Sequence, residues 1–248
     1  MVVAGGEAED AVVSNPRLGG RCGLLACALV AGFLTSPAVA EDTPSDWELW
    51  SGGLFRLHRT EPLDLSLEYQ VRLDDNLQAL KSHFLEVQGY NRIKRWLELS
   101  AAYRLTGRPD HTEHRLMVGA WMRQTLGEGR PSVDRESGFD LVHQVAYQRD
   151  FNVRFTDELI DSNSVRWVIT TTKPLGERIA PFLIVGALGT WNEEVDFDLD
   201  KLRLGVGMRI NHTPKSRFRI AYILEESRLT EPRERSNIIW VRYELLAR

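Results

Sequence analysis

The chain has 248 residues, with 31 basic and 35 acidic side chains, a formal net charge of −4, 43% hydrophobic and 27% charged residues, 19 Gly and 10 Pro. That length fits one large domain or two small ones, and the composition excludes a disordered tail, a collagen-like repeat and a helical membrane bundle. A mean hydropathy of −0.28 leaves a transmembrane β-barrel open, because barrel strands alternate apolar and polar residues; Lys and Arg form no stripe interleaved with aromatics, which argues against nucleic acid as a partner.

The first element is an apolar run from Cys22 to Leu34, preceded by Arg17 and Arg21 and followed by Ser36-Pro37-Ala38-Val39-Ala40. It reads as a secretory signal peptide: the run is too short to span a bilayer as a helix, and Ala38-Val39-Ala40 supplies the small residues of a cleavage site. Cleavage is expected between Ala40 and Glu41, giving residues 1–40 as signal and 41–248 as one barrel domain. Glu7, Glu9 and Asp10 are unusual in an n-region, which raises a start codon further downstream as an alternative. Leu24-Leu25-Ala26-Cys27 resembles a lipoprotein processing box, the competing reading of this segment. Both cysteines lie here, so the mature chain has no disulfide scaffold, thiolate metal site or cysteine nucleophile. Without Arg17, Arg21, Glu7, Glu9 and Asp10, 29 basic residues face 32 acidic ones, and the mature domain is close to neutral.

From Trp47 onward a period of two dominates. The first run is 47–58. In the second, Leu63, Leu65, Leu67, Tyr69, Val71 and Leu73 alternate with Asp64, Ser66, Glu68, Gln70, Arg72 and Asp74. Further runs follow at 82–93, 97–105, 112–125, 138–151, 163–174, 179–190, 202–210, 215–228 and 239–245, eleven in all. Arg59–Pro62, Asn91–Arg95, Lys173–Arg178 and Asn211–Lys215 read as tight links. Asp74–Lys81, Gly107–Glu113, Asp157–Asn163 and Asn192–Asp198 read as longer ones, in alternation with the tight set. This is the pattern of an all-β, up-and-down antiparallel transmembrane β-barrel with short periplasmic turns and longer outer loops. Gly127–Ser137 is long where a short turn is due. Bacterial single-chain barrels carry an even strand number. About 10 to 12 strands are therefore expected: ten if Trp47–His58 lies outside the wall, or twelve, the preferred count, if one strand is unread.

Strands of about 10 to 14 residues exceed the soluble norm and match a tilted membrane strand. The polar face mixes Arg and Glu with Gly, Ala and Trp, which suits a narrow lumen. Trp47, Trp50, Tyr90, Trp96, Tyr103, Trp191, Trp240 and Tyr243 lie mostly toward strand ends, as interfacial girdles do. The expected location is the outer membrane of a Gram-negative bacterium, with outer-membrane lipid, lipopolysaccharide and the barrel-assembly machinery as partners.

Asp46-Trp47-Glu48-Leu49-Trp50-Ser51, Leu65–Arg72 and Asp75-Asn76 resemble the uncharacterised bacterial family called domain of unknown function 2490. So do Ala102-Tyr103-Arg104, Glu113-His114-Arg115, Tyr147-Gln148-Arg149 and Val165-Arg166-Trp167. The resemblance runs from Asp46 to Tyr243 and implies an outer-membrane barrel of unestablished role, with no catalytic residues to carry over. One departure is the end of the chain, Tyr243-Glu244-Leu245-Leu246-Ala247-Arg248, where barrel proteins usually finish on an aromatic.

Barrel enzymes that act on lipids place His and Ser two residues apart on one strand face. None of His58, His83, His111, His114, His143 and His212 has Ser at that spacing, and His143 reads as a lumen or interface residue. His111 and His114 with Glu113 cannot converge on a metal from a strand, where residues three apart face opposite ways. Asp196, Asp198 and Asp200 with Glu193 and Glu194 read as a solvated acidic loop. No metal, cofactor or enzymatic role is expected. What remains is the charged face: Glu68, Arg72, Glu86, Glu98, Arg104, Arg115, Arg123, Arg166, Arg203, Arg209, Arg219, Arg242 and Glu244. These side chains are expected to pair across the lumen and fill it. The expected role is thus structural, or that of a narrow channel; the functional alternative for these residues is an Arg-rich path or site for an acidic ligand. The alternatives for the whole protein are a lipid-modifying enzyme with a non-standard site and a soluble periplasmic binding barrel.

Overall fold

The computed structural model describes residues 45–60, 63–126, 138–153, 159–191, 196–228 and 234–247. The signal segment, its cleavage point, both cysteines and the 127–137 link lie outside the described residues. Eleven strands form one closed sheet. In chain order they are β1 (Ser45–Thr60), β2 (Leu63–Asp74), β3 (Ala79–Lys94), β4 (Leu97–Gly107), β5 (Thr112–Leu126) and β6 (Phe139–Val153). They continue as β7 (Leu159–Thr172), β8 (Ile179–Trp191), β9 (Asp198–Thr213), β10 (Ser216–Ser227) and β11 (Glu234–Leu246).

Each strand pairs antiparallel with its sequence neighbours, and the barrel closes by a parallel pairing of β1 with β11, from Ser45 opposite Arg235 to Arg56 opposite Leu246. The even-number expectation therefore fails. Trp47–His58 belongs to the wall, and the count among the described residues is eleven. The reason is geometric. In an up-and-down chain an odd strand number brings the first and last strands together pointing the same way, and a parallel ladder, though slightly weaker per residue, can still satisfy both backbones. Closure leaves no free edge.

The period of two sorts side chains as the sequence suggests. On β2, Ser66 and Gln70 are buried while Leu63 and Tyr69 are exposed. On the outside, Leu85, Val87, Leu99, Leu116, Val118, Leu183, Val206 and Ile220 are between 44% and 56% exposed. The buried apolar cluster lies inside the barrel: Trp50, Phe182, Ala221, Ile223 and Ile238 pack together with Ile184 and Trp240. It occupies the arc formed by β8, β10, β11 and β1 and fills that side of the interior. Gly207 makes the packing possible, because an added Cβ would sit 2.5 Å from the Phe182 ring and 2.6 Å from the Ile220 carbonyl oxygen.

The tight links and the longer ones collect at opposite rims. At the longer-link rim, β2 turns into β3 through Asp75, Asn76 and Leu77, all with positive φ (48°, 55° and 71°). Asp46 on β1 holds that turn, its carboxylate accepting the backbone N–H groups of Asp75 at 3.1 Å and Asn76 at 2.8 Å.

Candidate functional site: the charged lumen

The thirteen charged residues all alternate onto the inward face. They comprise Glu68 and Arg72 on β2, Glu86 on β3, Glu98 and Arg104 on β4, Arg115 and Arg123 on β5, Arg166 on β7, Arg203 and Arg209 on β9, Arg219 on β10, and Arg242 and Glu244 on β11. The same parity brings in residues the sequence reading passed over: Glu48, Arg56, Arg92, Asp140, Asp150, Lys201, Arg217 and Glu225, with the amides Gln70, Gln144 and Gln148. Their signal was in the sequence, since each occupies the polar phase of its own strand; Lys81 does not, and joins them at the register shift between β2 and β3, where it reaches Glu48.

Charges pair around the wall rather than across the bore. Arg104 stands directly opposite Glu86 on the neighbouring strand and donates to it at 2.7 Å. Arg115 is likewise opposite Asp150, donating through Nη2 at 3.0 Å, and Arg203 opposite Glu225. Arg123 reaches Glu98 on the next strand at 3.2 Å. The longest lateral reaches skip one strand, Arg242 on β11 to Glu68 on β2 at 3.3 Å and Lys81 on β3 to Glu48 on β1 at 2.7 Å. Cross-lumen pairing is thereby corrected. A pair between adjacent strands needs only the few ångströms that separate opposed Cβ atoms, whereas a bridge across the bore would need two fully extended side chains at an entropic cost.

Glu244 is the hub of this network. It is fully buried and takes Arg217, Arg219 at 3.0 Å and Arg242. Three cations on one carboxylate satisfy its acceptor capacity, which is how a buried charge is tolerated.

Among the thirteen candidates, three guanidiniums stay outside the ion pairs of the described residues: Arg72, Arg166 and Arg209. Arg72 donates to the Gln70 side-chain oxygen at 2.9 Å and lies against Trp50 and Phe84, 4.2 and 5.2 Å from their ring centres. The buried Nε atoms of Arg166 and Arg209 have no acceptor. Arg72 and Arg166 line a cavity of about 220 Å³ encircled by all eleven strands. A second cavity of about 620 Å³ lies toward the short-turn rim and shares Glu68, Trp121 and Arg242 with the first.

Other candidates resolve simply. His143 stands in register with Met122 and Ile169 and shares the outward phase of β6 with Val145 and Tyr147, outside the lumen. His111 faces Asp110 at 2.7 Å and Glu113 at 3.1 Å, while His114 turns to the Tyr103 hydroxyl at 2.5 Å. Asp198 accepts the Leu199 N–H at 2.7 Å, and Glu193 and Glu194 lie outside the described residues. No group of three or more His, Cys, Asp or Glu suited to a metal occurs among the described residues. The expected girdle needs revision, because Trp50, Tyr90 and Trp240 line the interior. Trp47, Tyr103, Trp191 and Tyr243 share the outward phase of their strands, and Trp96 is exposed in the turn between β3 and β4.

Fold and site together define a closed β-barrel with an apolar exterior and an ionised, partly filled interior. No family model and no curated protein matches the chain. Among solved structures, the chain is similar to a "Bacterial polysaccharide outer membrane secretin", at 11% identity and a TM-score of 0.48 over 74% of this chain. The match spans 63% of that chain's length.

Proposed function

We propose that the protein is a bacterial outer-membrane β-barrel, exported by a cleaved signal peptide and structural or narrowly conducting in role, without catalytic activity. On this reading it belongs with the uncharacterised barrel family it resembles in sequence, is assembled by the barrel-assembly machinery, and sits among lipid and lipopolysaccharide. One observation carries the membrane reading: large apolar side chains cover the outside while the carboxylates and guanidiniums pair inside. A water-soluble barrel places these the other way round, since an apolar belt in water is an aggregation surface.

The dimensions support the same reading. On β4 the outward apolar positions run from Leu97 to Leu105, a rise of about 26 Å along the strand and about 20 Å along the barrel axis at a tilt of ~40°. Toward the longer-link rim the belt ends in tyrosines whose hydroxyls hold polar neighbours: Tyr147 donates to Asn163 and Tyr222 to Asn237, each at 2.6 Å. An amphipathic ring with a wet tip suits a membrane interface.

The test is gel mobility with membrane fractionation. The folded barrel is expected in the outer-membrane fraction and to run faster unboiled than boiled, because a closed sheet resists detergent. Equal mobility, or recovery in the soluble periplasmic fraction, refutes the proposal.

A further inference from the structure

The central cavity holds more positive charge than its walls neutralise. Five guanidiniums line it, from Arg72, Arg104, Arg166, Arg203 and Arg242, against the carboxylates of Glu68 and Glu86. Three of the five are matched: Arg104 by Glu86, Arg203 by Glu225 and Arg242 by Glu68 and Glu244. Arg72 and Arg166 are not, and they come from opposite sides of the barrel, with β2 and β7 separated by four strands one way and five the other.

Arg72 is also held in place. Arg203 lies 5.2 Å from the Trp50 ring centre on one side, and Arg104 lies 4.0 Å from the Phe84 ring centre on the other, with Arg72 between the two rings. This ladder of alternating cations and rings is neutralised at its two ends and left charged in its middle. Arg166 lies on the far wall with its Nε buried and unbonded. Like charges confined in a low-dielectric interior repel one another and are costly unless a counter-charge joins them.

The geometry points to a binding site for a small dianionic oxyanion, a phosphate or a short dicarboxylate, held between Arg72 and Arg166. A planar guanidinium presents paired N–H groups that match two oxygens of one carboxylate or phosphate, and two such forks facing one cavity suit two negative charges. The cavity volume of about 220 Å³ accommodates an ion of this size. Approach is from the short-turn rim, where the larger cavity carries eight Arg against four carboxylates and so concentrates anions. The Arg209 guanidinium, outside the ion pairs and directly opposite Arg219 on the neighbouring strand, stands along that route.

The inference rests on the closed barrel and not on its membrane location, so the two fail separately. The experiment is calorimetric titration of the full-length protein, folded in neutral detergent and checked by gel mobility, with inorganic phosphate and with succinate in low-chloride buffer. Arg72→Gln and Arg166→Gln are each expected to weaken binding by about tenfold or more, as loss of a charge-assisted contact requires. Arg166→Gln does not lower the stability of the unliganded barrel, because it removes an unneutralised charge, whereas Arg72→Gln also gives up the Gln70 contact and the packing on Trp50 and Phe84. Arg72→Lys, which keeps the charge and loses the fork, is expected to bind with intermediate strength. Phosphate binding alone assigns the site to phosphates, succinate binding alone to dicarboxylates, and either supports it. Absence of heat from both anions, or wild-type binding by both Gln variants, overturns it. If Arg72→Gln does not fold, Arg166→Gln and Arg72→Lys decide the question on the same criteria.

Discussion

Replacing Glu244 with Gln tests the lateral network at its most connected point. The carboxylate is fully buried and takes Arg217, Arg219 and Arg242. An amide in its place keeps one acceptor oxygen and loses the charge. Arg242 retains Glu68 at 3.3 Å, so two guanidiniums, not three, are left without a carboxylate. Breaking a buried pair costs about 3–5 kcal/mol. Arg217 and Arg219 have 19% and 25% of their side-chain surface open to the lumen, which puts the expected loss at the lower end, about 3 kcal/mol. Glu68→Gln is the internal comparison. It removes a carboxylate whose one ion-pair partner among the described residues, Arg242, keeps Glu244, and about 1 kcal/mol is expected, the worth of one ordinary hydrogen-bonded contact. A surface control, Asp161→Asn, breaks its exposed pair with Arg149 for less than about 1 kcal/mol. Denaturant unfolding from lipid vesicles, followed by tryptophan fluorescence and gel mobility, gives all three values. Equal losses at Glu244 and Glu68 would refute the hub, and a loss at Glu244 no larger than at Asp161 would refute a buried network altogether.

Leu67 belongs to the outward phase of β2, and Leu67→Arg near mid-height is expected to cost about 2–4 kcal/mol in a bilayer, measured by the same unfolding assay. The inward neighbour Gln70 is not the mild site a polar strand face suggests: it is buried and accepts from Arg72, so Gln70→Ala should cost about 1–3 kcal/mol by leaving that donor unmet. Gly207→Ala forces a methyl against the Phe182 ring and the Ile220 carbonyl and should lower stability by about 1–3 kcal/mol, with Phe182→Leu partly restoring it in the double variant.

Much of this was legible because a strand has only two faces. Once Leu67 and Val71 share one phase, Glu68, Gln70 and Arg72 must share the other, and the inward placement of thirteen scattered charges follows without knowledge of any contact. Pairing partners were not legible. Glu86 and Arg104 become opposed only through the register of β3 against β4, which the alternation leaves free to slide by two. The closing seam was hidden for a different reason. Hairpins announce themselves by their turns, whereas Glu48 and Ile238 meet with no connecting turn between them. The aromatics misled because position along a strand carries no information about face: Trp50 and Trp240 stand side by side across the seam, yet inside, where they pack among Arg72, Arg203 and Arg242.

The parallel seam also has a consequence for sidedness. A barrel with an even number of antiparallel strands starts and finishes at the same rim, so one compartment receives both ends of its wall. Here the chain enters β1 at Ser45 on the longer-link rim and leaves β11 at Leu246 on the short-turn rim. An epitope inserted before β1 and one inserted after β11 would therefore report from opposite faces of a sealed vesicle, one cleavable from outside and the other sheltered. In the proposed membrane location, the polypeptide itself, and not only its loops, would cross a net single time, its seam joining strands whose outer ends lie at opposite rims.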